Sequence, residues 1–209
     1  MKPELRLPLI LFLAACTSTL VAEPSQSSNS RDGGASFDSH FEGGRYEASL
    51  TTGVMFSPFL ATRHRPAIDY TLSELQLGYM LHGVREAGWF RGNLEVAGEG
   101  FGSAIFNSHG SYISGLTLWA RYNFVQKHWR VVPFVQAGSG VTFTDIDRNL
   151  VGQEFNFNLG LGGGARWFVA RNCSLNLEYR YQHISNAGLS RKNVGINAQG
   201  PILGVSYFF

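Results

Sequence analysis

The chain has 209 residues, of which 15% are charged and 13% aromatic, with 25 glycines and a formal net charge of +2. This length allows one or two domains, and the glycine-rich, charge-poor composition favours an all-β protein over a helical one. The net charge is too small to favour nucleic acid as a partner. Two cysteines exclude a disulfide framework and a cysteine metal site, and we expect no cofactor.

The N-terminus has the pattern of a secretory signal. Lys2 and Arg6 precede an apolar run over residues 7–15, and small residues follow. The run is shorter than the about 20 residues that a transmembrane helix needs. We predict a signal peptide over residues 1–22, with two processing sites left open. A Leu-Ala-Ala-Cys tetrapeptide resembles a lipoprotein signal that ends before Cys16. The tripeptide at residues 20–22, Leu-Val-Ala, resembles an ordinary cleavage site.

The next segment, residues 23–42, is rich in Ser, Gly and Asp and holds little that could pack. This composition indicates a flexible lead-in. From residue 43 to residue 209 the chain becomes a series of short segments with alternating polarity, the pattern of strands whose side chains point to opposite faces. Eight segments are predicted: about 45–57, 68–81, 88–98, 113–124, 131–145, 153–169, 173–185 and 195–209.

A soluble sandwich also alternates, but two features favour a transmembrane barrel. Aromatic residues cluster near the segment ends, where interfacial girdles lie: Tyr70, Trp89, Phe124, Trp167, Tyr207 and Phe209. The connections are of two kinds, as in outer-membrane barrels. Those on one side are predicted to be short: 82–87, 125–130 and 170–172. Those on the other side are longer or intermediate: 58–67, 99–112, 146–152 and 186–194.

The predicted fold is therefore all-β, an eight-stranded antiparallel transmembrane β-barrel over residues 43–209, located in the bacterial outer membrane. Side chains just fill the interior at this strand number. We expect charged residues on the inward face to form a buried polar network instead of a hydrophobic core: Glu95, Arg121, Arg166, Glu178 and Arg180. Glycines over residues 160–164 are expected to make room inside the barrel.

The seventh segment carries an unusual pair at its end. His183 and Ser185 continue the apolar row of this strand and not its polar row, so both are expected to face outward into lipid. Asn197, on the returning segment, has the outward parity of its own strand. Three side chains able to hydrogen bond thus meet on one outer patch. Because bare polar groups are costly in lipid, this patch indicates function.

A motif covers the same region. The run His183-Ile184-Ser185-Asn186-Ala187-Gly188-Leu189, followed by Asn193, Gly195 and Ile196, resembles the lipid A 3-O-deacylase (PagL) family. The resemblance implies an outer-membrane enzyme that removes an ester-linked acyl chain from the 3-position of lipid A. Lipopolysaccharide in the outer leaflet is then the expected partner, and a homodimer is left open. The resemblance also implies three roles: Ser185 is the nucleophile, His183 is the general base, and Asn186 and Gly188 contribute to the oxyanion hole.

The chain departs from the family at one position. The family has a glutamate twelve residues after the serine, where this chain has Asn197. An asparagine carbonyl can orient the histidine, as in Cys-His-Asn proteases, but it lacks the charge that stabilises the imidazolium. Two alternatives therefore stay open: a non-catalytic barrel of structural or adhesive type, and a lipid acyltransferase.

Overall fold

The computed structural model describes residues 37–57, 67–107 and 109–209. The predicted signal peptide, most of the lead-in and most of the first long loop lie outside these residues. Eight antiparallel strands form a closed barrel in chain order. Their bounds are β1 Tyr46–Met55, β2 Tyr70–Met80, β3 Asn93–Ala104, β4 Tyr112–Asn123, β5 Val131–Thr144, β6 Phe155–Phe168, β7 Cys173–Ser185 and β8 Ile196–Phe208. The predicted fold class is confirmed, since β8 also pairs with β1.

Strand β2 shows how the barrel is turned inside out relative to a soluble protein. Glu74 and Gln76 point inward and are buried, whereas Leu75 and Leu77 point outward and are 55% and 60% exposed. An apolar exterior around a polar interior is the arrangement of a barrel that crosses a membrane. Among the described residues, no helix combines the length and the apolar character that a membrane span requires.

The polar interior contains two clusters of charge, and the first surrounds Arg166. Its guanidinium lies 2.5 Å from Glu47 Oε2 and 3.2 Å from Glu95 Oε2. Arg121 contacts Glu95 Oε1 at 3.0 Å. All four side chains are buried, so each charge has a partner in place of water.

The second cluster surrounds Arg180, which lies in contact with Glu74 and at 3.0 Å from Glu99 Oε2 and 2.7 Å from Glu178 Oε1. Its guanidinium also stacks 4.6 Å from the centre of the Trp119 ring. The predicted buried network is therefore confirmed for Glu95, Arg121, Arg166, Glu178 and Arg180. Three further carboxylates, which the sequence analysis missed, complete it: Glu47, Glu74 and Glu99.

The glycines of β6 make room for these clusters, as predicted. A Cβ atom at Gly160 would overlap the Trp119 ring, and one at Gly162 would overlap the Glu178 carboxylate. The Trp119 ring and the Glu178 carboxylate thus pack directly against the backbone of β6.

A short 3₁₀ helix, Asp38–Phe41, closes the barrel end that carries the C-terminus. Phe37 and Phe41 pack there with Phe168 and Phe208 in a buried apolar cluster. The prediction of a flexible lead-in is wrong for residues 37–41, because these aromatic rings have a buried surface to pack on.

The third strand is also a correction. It was predicted over 88–98 but spans Asn93–Ala104, and residues 88–90, with Trp89, form a 3₁₀ helix. Glycines at positions 98, 100 and 102 lie on its outward face, where the alternation signal needs apolar side chains. The connection 81–92 is therefore longer than predicted and 105–111 is shorter, so loop length separates the two barrel ends less cleanly than expected.

Candidate active site

The outward face of β7 changes character toward its end. Leu175, Leu177 and Tyr179 are about half exposed, as lipid-facing side chains are, at 45%, 56% and 55%. His183 and Ser185 follow on the same face and are half-buried. The short turn 169–172 precedes β7. Because short turns lie on the periplasmic side of such barrels, the end of β7 lies at the outer leaflet.

The strand register sets Asn197 of β8 directly opposite His183. The Asn197 Oδ1 atom lies 2.6 Å from His183 Nδ1. An amide oxygen can only accept a hydrogen bond, so Nδ1 carries the proton and Nε2 keeps a free lone pair. This is the tautomer that a general base requires.

A third side chain joins this pair. The Tyr181 hydroxyl donates to the same Asn197 oxygen at 2.8 Å. Tyr181 precedes His183 by two residues and shares its outward face. By alternation Tyr181 belongs to the apolar row of β7, so its polar contact was not predicted. The shared parity of Tyr181, His183 and Asn197 was the signal that could have revealed it.

Ser185 lies at the last position of β7, opposite Phe157 of β6. Its Cα lies about 7 Å from that of His183, since the two residues are two positions apart on one strand. In the described part of the chain, no hydrogen bond joins the serine hydroxyl to the imidazole. Catalytic hydrogen bonds are often long in ligand-free structures and shorten when substrate binds. The structure therefore places His183 and Ser185, the expected base and nucleophile, on one face without a direct bond.

The free edge of the imidazole is open because Gly195 lies beside it. A Cβ atom at this position would lie 3.2 Å from His183 Cε1. A larger residue there would crowd the side of the ring that carries Nε2. The loop thus leaves space at the Nε2 edge of the ring.

The turn after Ser185 is held by the buried side chain of Asn186. Its Nδ2 donates to the carbonyl of Val151 at 2.9 Å and to that of Lys192 at 2.7 Å. Its backbone carbonyl accepts from the Leu189 N–H at 3.0 Å, which closes a β-turn. Ala187 and Gly188 occupy the centre of the turn with positive φ, 53° and 85°, as type I′ turns require.

The oxyanion donors expected in this turn are engaged in internal bonds. The Asn186 N–H donates to Asn193 Oδ1 at 3.2 Å, and the Gly188 N–H donates to Asn186 Oδ1 at 2.9 Å. The N–H of Ala187, between them, has no acceptor among the described residues. These contacts depend on how the loop folds, which the sequence pattern alone does not give.

The loop between β5 and β6 is hydrogen-bonded to the loop that follows Ser185. The short α-helix Arg148–Val151 lies between β5 and β6, and its Leu150 carbonyl accepts from the Val194 N–H at 3.0 Å. Gly152, which ends this helix with φ 79°, packs so closely that a Cβ atom would overlap the Lys192 carbonyl oxygen. We call residues 148–152 the supporting loop.

One carboxylate, three residues before the supporting loop, links the β5–β6 connection to the connection between β3 and β4. Asp145 Oδ1 accepts from the Ser111 N–H at 2.7 Å and from the Tyr112 N–H at 2.9 Å. These bonds stabilise the ionised form and hold the pKa of the Asp145 carboxyl below its usual value. Within the described ranges, no group of three or more His, Cys, Asp or Glu side chains is arranged to hold a metal ion.

The fold and the outward polar patch define the class of small outer-membrane β-barrels. The family model for lipid A 3-O-deacylase (PagL) matches residues 74–206, more than half of the chain. The chain therefore belongs to the PagL lipid A 3-O-deacylase family, and it is a protein of the bacterial outer membrane. The matched range includes β7 and most of β8, with His183, Ser185 and Asn197.

Solved structures agree on the fold. The outer membrane enzyme PagL is 20% identical, with a TM-score of 0.53 over 76% of this chain and 97% of that chain. Neisserial surface protein A is 16% identical, with a TM-score of 0.54 over 79% and 97%. The barrel domain of Pseudomonas aeruginosa OprF is 16% identical, with a TM-score of 0.52 over 80% and 98%. No curated protein sequence matches the chain significantly.

Proposed function

We propose that the protein hydrolyses the ester that links an acyl chain to the 3-position of lipid A. One observation carries the proposal: His183 Nδ1 bonds to Asn197 Oδ1 at 2.6 Å on the outer wall, beside Ser185. This bond supports the tautomer that a base at the height of the outer leaflet requires. Membership in the deacylase family supports the same reaction.

The reaction begins with Ser185. A serine hydroxyl becomes a competent nucleophile when a neighbouring imidazole takes its proton. As Ser185 Oγ attacks the ester carbonyl carbon, its proton passes to His183 Nε2, and the Asn197 oxygen keeps its bond to Nδ1–H of the imidazolium. The tetrahedral intermediate then collapses. The 3-hydroxyl of lipid A leaves with the proton from Nε2, and the acyl chain stays on Ser185.

Water completes the cycle. It attacks the acyl-serine carbonyl carbon while His183 Nε2 accepts its proton, and the proton returns to Ser185 Oγ as the fatty acid leaves. We assign the oxyanion hole to backbone N–H groups of the turn at Asn186 and Gly188. Both N–H groups now donate to side chains within the loop, so these two internal hydrogen bonds have to break when the oxyanion forms. Each such donor is worth about 3–4 kcal/mol in comparable enzymes.

The surroundings of the site favour a substrate embedded in lipid. Phe157 and Leu159 of β6 lie opposite Ser185 and His183 and face outward, 36% and 56% exposed. On the other face of the wall, Gln182 and Ile184 are buried in the interior. An ester can therefore reach Ser185 from the membrane side and not from the barrel interior. Lipopolysaccharide supplies such an ester in the outer leaflet.

The test is the mass spectrum of lipid A from cells that express the protein. We expect loss of one 3-linked hydroxyacyl chain, and we expect Ser185→Ala to abolish this loss because the nucleophile is gone. Ser73→Ala is the matched control. Ser73 faces outward from β2, which is separated from β7 by β1 and β8.

Insertion has to be verified for each variant by the heat-dependent shift of a folded barrel on a gel. Unchanged lipid A from cells with correctly inserted protein would contradict the proposal and favour the non-catalytic structural or adhesive barrel. A gain of acyl mass would instead support the acyltransferase alternative.

A further inference from the structure

We propose that Tyr181 is a positioning residue for the base: its hydroxyl holds the Asn197 carbonyl toward the imidazole and so keeps the neutral amide in the orientation that a base requires. This inference rests on the proposed function. It concerns how a neutral amide can serve where the family pattern has an acid.

The geometry brings two donors to one oxygen. Asn197 Oδ1 lies 2.6 Å from His183 Nδ1 and 2.8 Å from the Tyr181 hydroxyl. A neutral amide oxygen has two lone pairs, and these two donors use both. The arrangement follows from the register, because His183 lies opposite Asn197 and Tyr181 lies diagonally across from it.

The orientation of an amide has to be fixed, because its carbonyl oxygen accepts hydrogen bonds and its NH₂ group donates them. A carboxylate presents an oxygen to the imidazole in either orientation. A half-turn of the Asn197 amide would instead present its NH₂ group to Nδ1. That group can only donate, so the imidazole proton would move to Nε2, and the base would be lost.

The surroundings strengthen this hold. Tyr181 lies half-buried opposite the lipid-facing Leu161. A hydrogen bond is electrostatically stronger in such a low-dielectric environment than in water.

The kinetic test compares variants of the full-length protein in detergent micelles, with purified lipid A as substrate. We expect Tyr181→Phe to lower kcat about tenfold, the cost of one ordinary hydrogen bond, with KM unchanged. In an Asn197→Asp background, the same substitution should change kcat less than about twofold, because a carboxylate has an oxygen at both ends. Tyr179→Phe is the control, since Tyr179 faces outward two positions earlier.

A second readout does not depend on turnover. Nitrogen-15 NMR of histidine-labelled protein distinguishes the Nδ1–H from the Nε2–H tautomer, and His183→Gln assigns the signal among the six histidines. We expect Nδ1–H in the native protein and in Tyr179→Phe. In Tyr181→Phe a substantial Nε2–H fraction should appear, and Asn197→Asp should remove it. A merely structural role for the tyrosine would leave the tautomer unchanged.

The inference is overturned if Tyr181→Phe keeps both the native kcat and the native tautomer, or if it lowers kcat equally in the Asn197→Asp background. Failure of the proposed function looks different. If the native protein releases no fatty acid at all, the deacylase assignment fails, and the tautomer measurement alone decides whether Tyr181 positions the ring.

Discussion

At His183 the partner of Nδ1 is a neutral amide, which separates two effects that a carboxylate normally combines. In a serine protease, exchange of the acid for an amide costs about ten-thousand-fold because the imidazole takes the wrong tautomer. Here the amide oxygen faces Nδ1 at 2.6 Å, so the tautomer is already correct. Only the charge is missing, and we expect the site to be weakened much less.

This reasoning predicts that Asn197→Asp increases kcat about tenfold, because hydrogen bonds to a charged acceptor are roughly twice as strong as neutral ones. The measurement is fatty-acid release from purified lipid A. Gln199→Glu is the control, since it introduces the same charge at the next outward position of β8 without contact to the imidazole. A lower rate in Asn197→Asp would show that desolvation of the carboxylate outweighs its attraction to the imidazolium.

The sequence predicts on which face of the barrel wall each site residue lies, but not the hydrogen bonds between them. Alternation and the family motif bring His183, Ser185 and Asn197 to one outer face, and the structure has them there. The bond from Tyr181 depends on side-chain rotamers, and the internal bonds of the Asn186 turn depend on a neighbouring loop. Neither follows from the two-residue period of a strand.

At the scale of elements, the supporting loop fixes the position of the turn that follows Ser185. Asn186 bonds to the carbonyl of Val151, and Val194 bonds to that of Leu150. Both ends of the loop between β7 and β8, residues 186–195, are therefore bonded to the same short helix. A disturbance of this helix should therefore reach the site through Asn186 and Val194.

Gly152→Ala tests this coupling. The new methyl group would overlap the Lys192 carbonyl oxygen, and φ 79° disfavours any side chain. We expect trypsin to cut after Arg191 and Lys192 about tenfold faster, as overpacking of this size destabilises the loop, and lipid A hydrolysis to fall with it. Gly88→Ala is the matched control: its φ is also positive, 58°, but a Cβ there meets nothing within 4 Å. Equal protease resistance in both variants would contradict the coupling.

Strand β3 shows where element prediction fails. Its outward positions 98, 100 and 102 are glycines, and its inward positions hold Ala97, Glu99 and Phe101. The glycines remove the apolar half of the alternation, so the predicted strand ends at residue 98, before the observed one. Strands such as β2 and β7, with leucine or tyrosine at most outward positions, are located within two residues.

At the scale of the whole molecule, stability depends on a charged interior. Arg121, Arg166 and Arg180 lie among five buried glutamates and hold the strands together across the barrel. The sequence predicted this network because inward charges recur on several segments. Glu99 was missed because position 99 was predicted to lie in the connection after the third strand. Glu47 and Glu74 were missed because the prediction of their strands rested on the outward side chains.

We expect Arg180→Met to destabilise the barrel by about 3–5 kcal/mol, because three buried carboxylates lose their shared partner. The measurement is the urea midpoint of the folded band on a gel. Arg148→Ala is the control, since its ion pair with Glu154 is solvent-exposed and worth about 0–1 kcal/mol. Equal midpoints for the two variants would show that the interior charges do not carry the fold.

His183 and the amide that orients it come from different strands, β7 and β8, and the register of this pair sets them opposite each other. Until these two strands pair, His183 has no partner to fix its tautomer. The proposed hydrolysis accordingly has to wait for the last hairpin of the barrel. We therefore expect an unfolded chain on its way to the outer membrane to be inactive toward the phospholipids that it meets.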